Sequence, residues 1–304
     1  MLRTLALLLL FTGPVAAQNI KLAIGSSAGA ESTPIFVAAE EGLFKKHGLD
    51  ATVTLVPLMP NLPAALMSNS VQIAFMTTTT FLQAVAGGLD FVAVSGGSVT
   101  SHQSTNIAFI AATQSGIHSP ADLVGRRVGV PGFGAFMDVT FRYWLTEKGV
   151  DWHKINFVET TFSSMRDQLK GGTVDAVGGM DPYAKSIVDS GAGYVVSQFL
   201  KDVPEGKPVA LFVSQRDWAA ANHDTITRFR AAYEDAVDFV RTKPDKARMD
   251  FEHYVKLPPA ALLATDTGHY QPHLSVDQLQ WWIDVMTAQD KFTEKPDASH
   301  LIAP

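Results

Sequence analysis

The sequence of 304 residues contains no cysteine. This absence excludes disulfide bonds, thiol catalysis, thiolate metal ligands and the attachment of a lipid to a cysteine side chain. Positive charge is also scarce, because 24 lysines and arginines stand against 30 aspartates and glutamates. A mildly acidic chain without basic runs is not expected to bind nucleic acid or an anionic membrane. After residue 18 no apolar run is long enough to cross a bilayer, so we expect no direct membrane insertion.

The first 17 residues have the pattern of a secretory signal peptide. Arg3 is followed by the apolar run Leu5–Phe11, and the small residues Val15, Ala16 and Ala17 precede Gln18. The apolar run is too short to span a membrane, which favours a removable signal over an anchor or a buried helix. We therefore expect cleavage before Gln18 and a soluble, monomeric protein in the bacterial periplasm.

Short β-rich runs alternate with amphipathic segments through the first two-thirds of the chain, which predicts an α/β fold with mainly parallel sheets flanked by helices. The predicted strands are Lys21–Gly25, Thr52–Val56, Gln72–Phe75, Val92–Ser95, Ile107–Ala112, Arg127–Val130, Asn156–Glu159, Ala176–Gly178, Tyr194–Ser197 and Ala210–Val213. The predicted helices are Pro34–His47, Phe81–Ala86, Asp138–Lys148, Met165–Lys170, Thr225–Thr242 and Val276–Gln289.

The number of strands fits two sheets better than one, and two stretches resemble changes of domain. The first is Ser115–Pro120, and the second lies near Pro204–Pro208. These breaks predict a first lobe of residues 18–113 plus 214–304 and a second lobe of residues 114–213. Because the chain crosses twice between such lobes, we expect a hinge and a ligand cleft between them.

Four loops that follow predicted strands carry the candidate ligand-binding residues, since ligands of α/β lobes collect at the carboxyl ends of strands. These residues are Ser26, Ser27, Glu31, Thr77, Thr78, Thr79, Thr80, Gly132, Phe133, Gly134, Ala135, Phe136, Asp181 and Tyr183. The loops supply hydroxyls, backbone donors and aromatic faces but no lysine or arginine. Free N–H groups and helix dipoles of such loops can bind a small anion reversibly.

Each loop also has a purely structural interpretation. One of the threonines is expected to cap the following helix, and Asp181 before Pro182 is an ordinary capping arrangement. Phe136 is at least as well explained as a core residue. Tyr183 would face the cleft only if a helix begins there. In the leading hypothesis, Thr77–Thr80 and the N–H groups near Gly132–Ala135 hold the polar head of the ligand, and Phe133 and Tyr183 pack against the remainder.

Catalytic and metal-site motifs are weak in this chain. The run Gly25–Gly29 matches G-x-S-x-G after a strand, but it follows the first predicted strand, and no HGG-type oxyanion motif precedes it. His269 and His273 have i, i+4 spacing, but Pro272 interrupts the helix that would align them. We expect no cofactor and no metal, and we keep an exported serine hydrolase-like enzyme centred on Ser27 as the alternative.

With these loops in place, the chain resembles the periplasmic solute-binding proteins of nitrate/sulfonate/taurine-type ABC importers, a superfamily that includes binding proteins for the thiamine pyrimidine precursor. The matching segments are Thr33–Leu49, Asn69–Ala74, Asp122–Val130 and Gly171–Ala176. The run from Ala39 to Leu49, with Glu41, Gly42-Leu43-Phe44 and the paired lysines, is the most specific of them.

The resemblance implies a type II-like periplasmic-binding-protein fold that closes on a small solute and delivers it to an inner-membrane ABC permease. It places the pocket on the four loops described above. We expect a small organic anion, such as a sulfonate or carboxylate with an aromatic body, with the pyrimidine precursor as the alternative ligand. A ligand-sensing module for a membrane receptor is a further alternative. Related proteins often have Trp-Glu-Pro where Met180-Asp181-Pro182 stands here. Pyrimidine-synthesising relatives carry a Cys-rich iron-linked motif that this chain lacks.

Overall fold

The computed structural model describes residues 19–56, 61–255 and 268–304. The predicted signal peptide lies outside these residues. The strands are β1 (Ile20–Ser26), β2 (Leu49–Leu55), β3 (Ile73–Thr77), β4 (Phe91–Ser95), β5 (Ile107–Ala112), β6 (Arg127–Val130), β7 (Asn156–Glu159), β8 (Ala176–Met180), β9 (Gly193–Ser197) and β10 (Ala210–Gln215). They form two five-stranded sheets, in the orders β2-β1-β3-β10-β4 and β7-β6-β8-β5-β9. The predicted α/β class is confirmed.

The two sheets share one connectivity. In the first sheet β10 is antiparallel to both of its neighbours, whereas β1 pairs in parallel with β2 and β3. In the second sheet β5 is antiparallel to both neighbours, and β6 pairs in parallel with β7 and β8. In each sheet the antiparallel strand is the first one the chain forms after it leaves the other sheet. Both sheets are therefore mainly parallel, as the sequence predicted.

Strand pairing corrects the predicted division at two strands. The prediction assigned Ile107–Ala112 to the first lobe and Ala210–Val213 to the second, but β5 belongs to the second sheet and β10 to the first. The crossings accordingly lie between β4 and β5 and between β9 and β10. The physical reason is that a short apolar strand fits either sheet equally well by pattern, and only long-range pairing selects its partner.

The two crossing segments are hydrogen-bonded to each other. The Thr100 N–H donates to the Lys207 carbonyl at 2.8 Å, and the Gly206 N–H donates to the Thr100 carbonyl at 3.0 Å. The Thr100 hydroxyl donates to the Pro204 carbonyl at 2.6 Å. The chain therefore passes between the two sheets in two segments that are bonded to each other, which is the arrangement expected of a hinge.

The helices that cover the sheets are α1 (Thr33–Glu40), α2 (Leu43–Lys46), α3 (Leu62–Met67), α4 (Thr78–Ala86), α5 (Phe136–Glu147), α6 (Phe162–Lys170), α7 (Tyr183–Asp189), α8 (Arg216–Ala221), α9 (His223–Thr242), α10 (Pro244–Glu252) and α11 (Val276–Thr287). The predicted helix Pro34–His47 is split in two at Gly42, whose φ of 69° is left-handed and interrupts the helix. Within the described ranges, no helix combines the length and apolar character needed to span a bilayer.

Helix α11 lies between the two halves of the molecule. Its Trp282 is fully buried and packs on Phe136, in the first turn of α5, with ring centroids 5.7 Å apart. The Gln289 amide, just beyond α11, donates to the Val139 carbonyl of α5 at 2.9 Å. Burial of a tryptophan of this size contributes several kcal/mol, about 3–5 by truncation. Helix α11 and the residues just after it therefore pack against the N-terminal part of α5.

Candidate functional site

The loops that follow β3 and β6 meet across the two sheets. Gln83 of α4 donates from its amide Nε2 to the Gly134 carbonyl at 3.1 Å. Gly134 has a φ of 76°, and a Cβ at this position would collide with the Gln83 amide. A glycine is therefore required for this close approach. This contact places helix α4, whose first turn holds Thr78, Thr79 and Thr80, against the glycine loop.

The serine loop after β1 is largely a structural element. The hydroxyls of Ser26 and Ser32 lie 2.8 Å apart and are buried. Both hydroxyls donate to the Ser27 carbonyl, at 3.1 and 3.0 Å. Ser26 therefore holds the turn and does not present its hydroxyl to solvent. Ser27 and Glu31 remain half-buried at the surface of this loop.

The four threonines divide into two kinds. The sequence placed all four before the helix, but α4 begins at Thr78, and Thr77 is its N-cap with the hydroxyl accepting from the Thr80 N–H. Thr78 and Thr79 are fully buried, and the Thr78 hydroxyl donates to the Pro208 carbonyl at 2.7 Å. Thr77 and Thr80 keep partial exposure, with their hydroxyls 2.8 Å apart. The hydroxyls that a solute could reach are those of Thr77 and Thr80.

The amides of the glycine loop already have acceptors. The Gly132 N–H donates to the Val130 carbonyl at 3.1 Å, and the Ala135 N–H donates to the Gly132 carbonyl at 3.3 Å. The Phe133 N–H donates to the Glu159 carboxylate at 3.3 Å. The Gly134 N–H donates to the Asp138 carboxylate at 2.7 Å. The sequence-based expectation of free N–H groups in this loop is thus wrong for this structure.

A buried charge cluster explains the last of these bonds. Asp138 is fully buried in the first turn of α5, and its carboxylate contacts the Arg142 guanidinium at 2.5 Å and the Lys291 ammonium at 3.3 Å. A carboxylate at a helix N-terminus compensates the positive end of the helix dipole. The end of α5 that points toward the cleft therefore has an anion supplied by the protein itself.

The loops of the second sheet carry three aromatic side chains that the sequence predicted as ligand contacts. Phe133 is 53% exposed and Tyr183 is 41% exposed, so both rings are available to a solute. Tyr183 opens α7, as the cleft-facing interpretation required, and stacks on Phe162 with ring centroids 5.7 Å apart. Phe136 is buried against Trp282 and belongs to the core. Two of the three predicted aromatic contacts thus remain candidates for the ligand.

Asp181 acts first as a capping residue. Its carboxylate accepts the Lys185 N–H at 3.1 Å, in the first turn of α7. Solvent still reaches the side chain, but neighbouring atoms remove part of its water, and this desolvation raises the pKa of the Asp181 carboxyl. Asp181 precedes Tyr183 by two residues in the chain, so this loop carries both an acidic and an aromatic side chain.

This chain matches a known protein family and several curated proteins in sequence. The family model described as NMT1/THI5-like matches residues 30–247, more than half of the chain. The chain belongs to the NMT1/THI5-like family. A binding protein of Brucella abortus is 26% identical to it over 246 residues, which cover 80% of this chain and 74% of that protein. The formylaminopyrimidine-binding protein of Halalkalibacterium halodurans is 25% identical over 236 residues, which cover 76% and 69% of the two chains.

Solved structures share the fold of this NMT1/THI5-like protein. The periplasmic aliphatic sulphonate binding protein of Escherichia coli superposes with a TM-score of 0.79 at 20% identity, covering 93% of this chain and 97% of that one. The periplasmic nitrate-binding protein of Synechocystis gives a TM-score of 0.71 at 15% identity, covering 92% and 84%. The predicted resemblance and the two-sheet periplasmic-binding-protein fold are confirmed.

Three residues of this NMT1/THI5-like cleft were missed by sequence analysis. Gln83 bridges the two sheets, Glu159 accepts from the glycine loop, and Phe162 supports Tyr183. Gln83 did carry a signal, because it is the one polar side chain in the apolar run Phe81–Ala86.

Within the described ranges no histidine hydrogen-bonds to Ser26 or Ser27, so the nucleophile-elbow hypothesis finds no base there. Nor does any group of three or more acidic or histidine side chains among the described residues form a metal-ligand set.

Proposed function

We propose that this protein is the periplasmic solute-binding component of an ABC importer and that its solute binds between the two sheets. The observation that carries the proposal is the contact between Gln83 and Gly134, which joins helix α4 of the first lobe to the loop after β6 in the second. Family membership and the shared fold support the same role. The permease partner and the periplasmic location rest on this family relationship and on the predicted signal peptide.

Binding would work by closure of the two lobes on the solute. Among the described residues the chain crosses between the sheets in two segments, which are hydrogen-bonded to each other at Thr100 and Lys207. A solute that touches loops of both lobes gains its full set of contacts only when the lobes are together. Binding therefore shifts the equilibrium toward the closed arrangement that a permease recognises.

The charge of the loops favours a solute without net negative charge. The loops after β1, β3, β6 and β8 contain Glu31 and Asp181 but no lysine or arginine. In addition, Glu159 and Asp138 accept the two amides that an anion would need most. The basic side chains nearest to the glycine loop, Arg142 and Lys291, are already paired with Asp138, so the loops themselves offer an anion carboxylates and no unpaired cation. We therefore favour an uncharged or cationic heterocycle over the sulfonate expected from sequence.

The geometry assigns different parts of such a solute to the two lobes. The hydroxyls of Thr77 and Thr80 donate or accept hydrogen bonds from the first lobe. The exposed rings of Phe133 and Tyr183 pack against a flat apolar body from the second lobe. The Asp181 carboxylate, two residues before Tyr183 in the chain, accepts from an amine on that body. This arrangement suits a small aminated aromatic ring.

Isothermal titration of the purified mature protein tests the proposal. The probes are 4-aminopyrimidine and formylaminopyrimidine on one side, and butanesulfonate, taurine and nitrate on the other. We expect heat of binding and a raised apparent melting temperature with the aminopyrimidines, because a ligand that binds only the folded state stabilises it. Tight binding of butanesulfonate with no response to the pyrimidines would overturn the assignment of charge but keep the binding role.

Two further outcomes bear on the role itself. Ligand-dependent co-purification with a permease expressed from the same source supports transport, whereas capture of a membrane receptor supports the sensing alternative. Labelling of Ser27 by a fluorophosphonate probe, with turnover of an ester substrate, would replace the binding role by the hydrolase alternative.

A further inference from the structure

A second cavity lies outside the cleft, on the far side of α5. It has a volume of about 610 Å³ and is lined by the C-terminal half of α5, the following turn at residues 149–153, and α11. This volume is within the range of small-molecule sites. Because α5 covers the second sheet and α11 belongs to the C-terminal segment that returns to the first, the cavity touches both halves of the molecule.

Aromatic side chains form much of the cavity wall. Tyr143 and Trp281 meet edge to face, with ring centroids 5.1 Å apart. Trp152 also lines the cavity, and the Arg142 guanidinium lies 4.5 Å from the centroid of its ring. The Lys207 ammonium lies 5.3 Å from the Trp281 ring. Each indole therefore already has a cation of the protein close to its electron-rich ring, as in a cation–π interaction.

The polar part of the lining is acidic. Three carboxylates, those of Glu147, Asp151 and Asp284, line the cavity, whereas the basic side chains of lysine and arginine are absent from the lining. Asp151 contacts His153 at 3.0 Å and Asp284 contacts Lys295 at 2.9 Å. Within the described part of the chain, no ion pair involves Glu147.

The carboxylate of Glu147 acts on the neighbouring phenol. Burial and, second, repulsion from Glu147 raise the pKa of the Tyr143 hydroxyl. Tyr143 therefore stays protonated and presents a neutral ring beside an exposed negative charge. Glu147 lies one helical turn after Tyr143, so both side chains share one face of α5.

A buried acceptor without a partner lies against the same cavity. Gln289 is 6% exposed and lines the cavity, and its Nε2 donates to the Val139 carbonyl. Its carbonyl oxygen is buried with no hydrogen-bond partner among the described residues. An unsatisfied buried amide oxygen destabilises the folded state, and a hydrogen bond from a ligand N–H group would offset that loss.

We propose that this cavity is a second ligand site, distinct from the cleft, which binds a small organic ammonium ion with an aromatic or aliphatic body. The ammonium lies near Glu147 and the body packs between Tyr143, Trp152 and Trp281.

The experiment uses 2-phenylethylamine as the probe and titrates it into the mature protein by calorimetry, with tryptophan fluorescence as a second readout. We expect saturable one-site binding, with the uncharged isostere 2-phenylethanol at least about tenfold weaker and phenylacetate not bound. Glu147→Gln keeps size and exposure but removes the charge, and it should weaken binding about fivefold. Trp281→Leu should weaken it about tenfold.

Two control variants make the result decisive. Asp50→Asn removes an exposed carboxylate from β2, far from the cavity, and should leave the affinity for the amine unchanged. Tyr183→Ala alters the cleft and should also leave it unchanged. Equal loss in Asp50→Asn and Glu147→Gln, or loss only in Tyr183→Ala, would overturn the second site in favour of diffuse charge or cleft binding.

Discussion

Helix α4 follows a strand of the first sheet and α5 follows a strand of the second, and the N-termini of the two helices are stabilised by different chemistry. Helix α4 is capped by a neutral hydroxyl, that of Thr77. Helix α5 has the buried carboxylate of Asp138, which is held by Arg142 and Lys291. The same scaffold therefore gives one cleft wall with available hydroxyls and another whose donors already serve an internal anion.

This difference shows that the position of a helix N-terminus does not establish an anion site. At α4 the Thr77 hydroxyl accepts a first-turn N–H, whereas at α5 the Asp138 carboxylate accepts the N–H of Gly134, two residues before the helix begins. In the second lobe the internal partner is charged, so a solute anion would have to compete with it. Substitutions near the N-termini of α4 and α5 test this difference.

The largest effect is expected at Asp138. In Asp138→Asn the amide can still accept from the Gly134 N–H, but Arg142, whose side chain is 8% exposed, loses its countercharge. Breaking a buried ion pair from one side costs about 3–5 kcal/mol. We expect the free energy of unfolding in urea to fall by about 3 kcal/mol.

The matched control for Asp138 is Asp189→Asn. Asp189 forms an i, i+4 pair with Lys185 at 2.8 Å, but both side chains are more than half exposed. Such pairs contribute about 0.5 kcal/mol or less. An equal loss of stability in the two variants would show that the buried cluster does not anchor α5.

The second prediction separates the two kinds of threonine in the first lobe. Thr78→Val removes the buried hydroxyl that donates to the Pro208 carbonyl and should lower the free energy of unfolding by about 1–2 kcal/mol without changing solute affinity. Thr80→Val, at a partly exposed position, should leave stability nearly unchanged and weaken solute binding about fivefold. Urea unfolding and calorimetry of both variants measure this. The reverse pattern would exclude Thr80 from the solute site.

The third prediction concerns the aromatic wall of the second lobe. Tyr183 stacks on Phe162, but its ring is 41% exposed, so Tyr183→Ala should cost little stability. Loss of an aromatic contact with the solute corresponds to about 1 kcal/mol, or roughly fivefold in affinity. Phe136→Ala is the contrasting variant, because Phe136 is a core residue and its truncation should destabilise the fold. If Tyr183→Ala leaves the affinity for the solute unchanged, the Tyr183 ring does not contact the solute.

The sequence predicted the class of fold well, since strand–helix alternation is a local property. It misplaced β5 and β10 because their sheet membership depends on pairing with strands far away in sequence, such as Ala111 with Ala176 and Phe212 with Phe75. It also began α4 too late, because threonine is a weak helix former, and the contact that orders Thr78 comes from Pro208.

The chemistry of the cleft was harder to predict than the class of fold. An i, i+4 spacing joins Asp138 to Arg142 in the sequence, but Lys291, more than 150 residues away, completes the cluster. Likewise the amide of Phe133 is taken by Glu159, which belongs to another strand. Whether a backbone N–H is free depends on such distant partners, and no local pattern records them.

The smallest effect, a pH dependence, tests whether the two lobes unfold together. Hydrogen bonding from Arg127 in the second lobe lowers the pKa of Asp175, and hydrogen bonding from Lys46 lowers that of Asp235 in the first. A lowered folded-state pKa means that each carboxylate stabilises the fold above its unfolded pKa, near 4, and that this contribution is lost as pH falls through the folded value.

Asp175→Asn and Asp235→Asn should therefore each lower stability slightly at pH 7 and flatten its decline below about pH 4. If the lobes unfold as one unit, each variant keeps a single urea transition, and the double variant shows the sum of the two effects. If the lobes are independent, Asp175→Asn shifts only one of two transitions. Because Trp282 of α11 packs on Phe136 of α5, and Gln289 and Lys291 also hold α5, we expect the single transition.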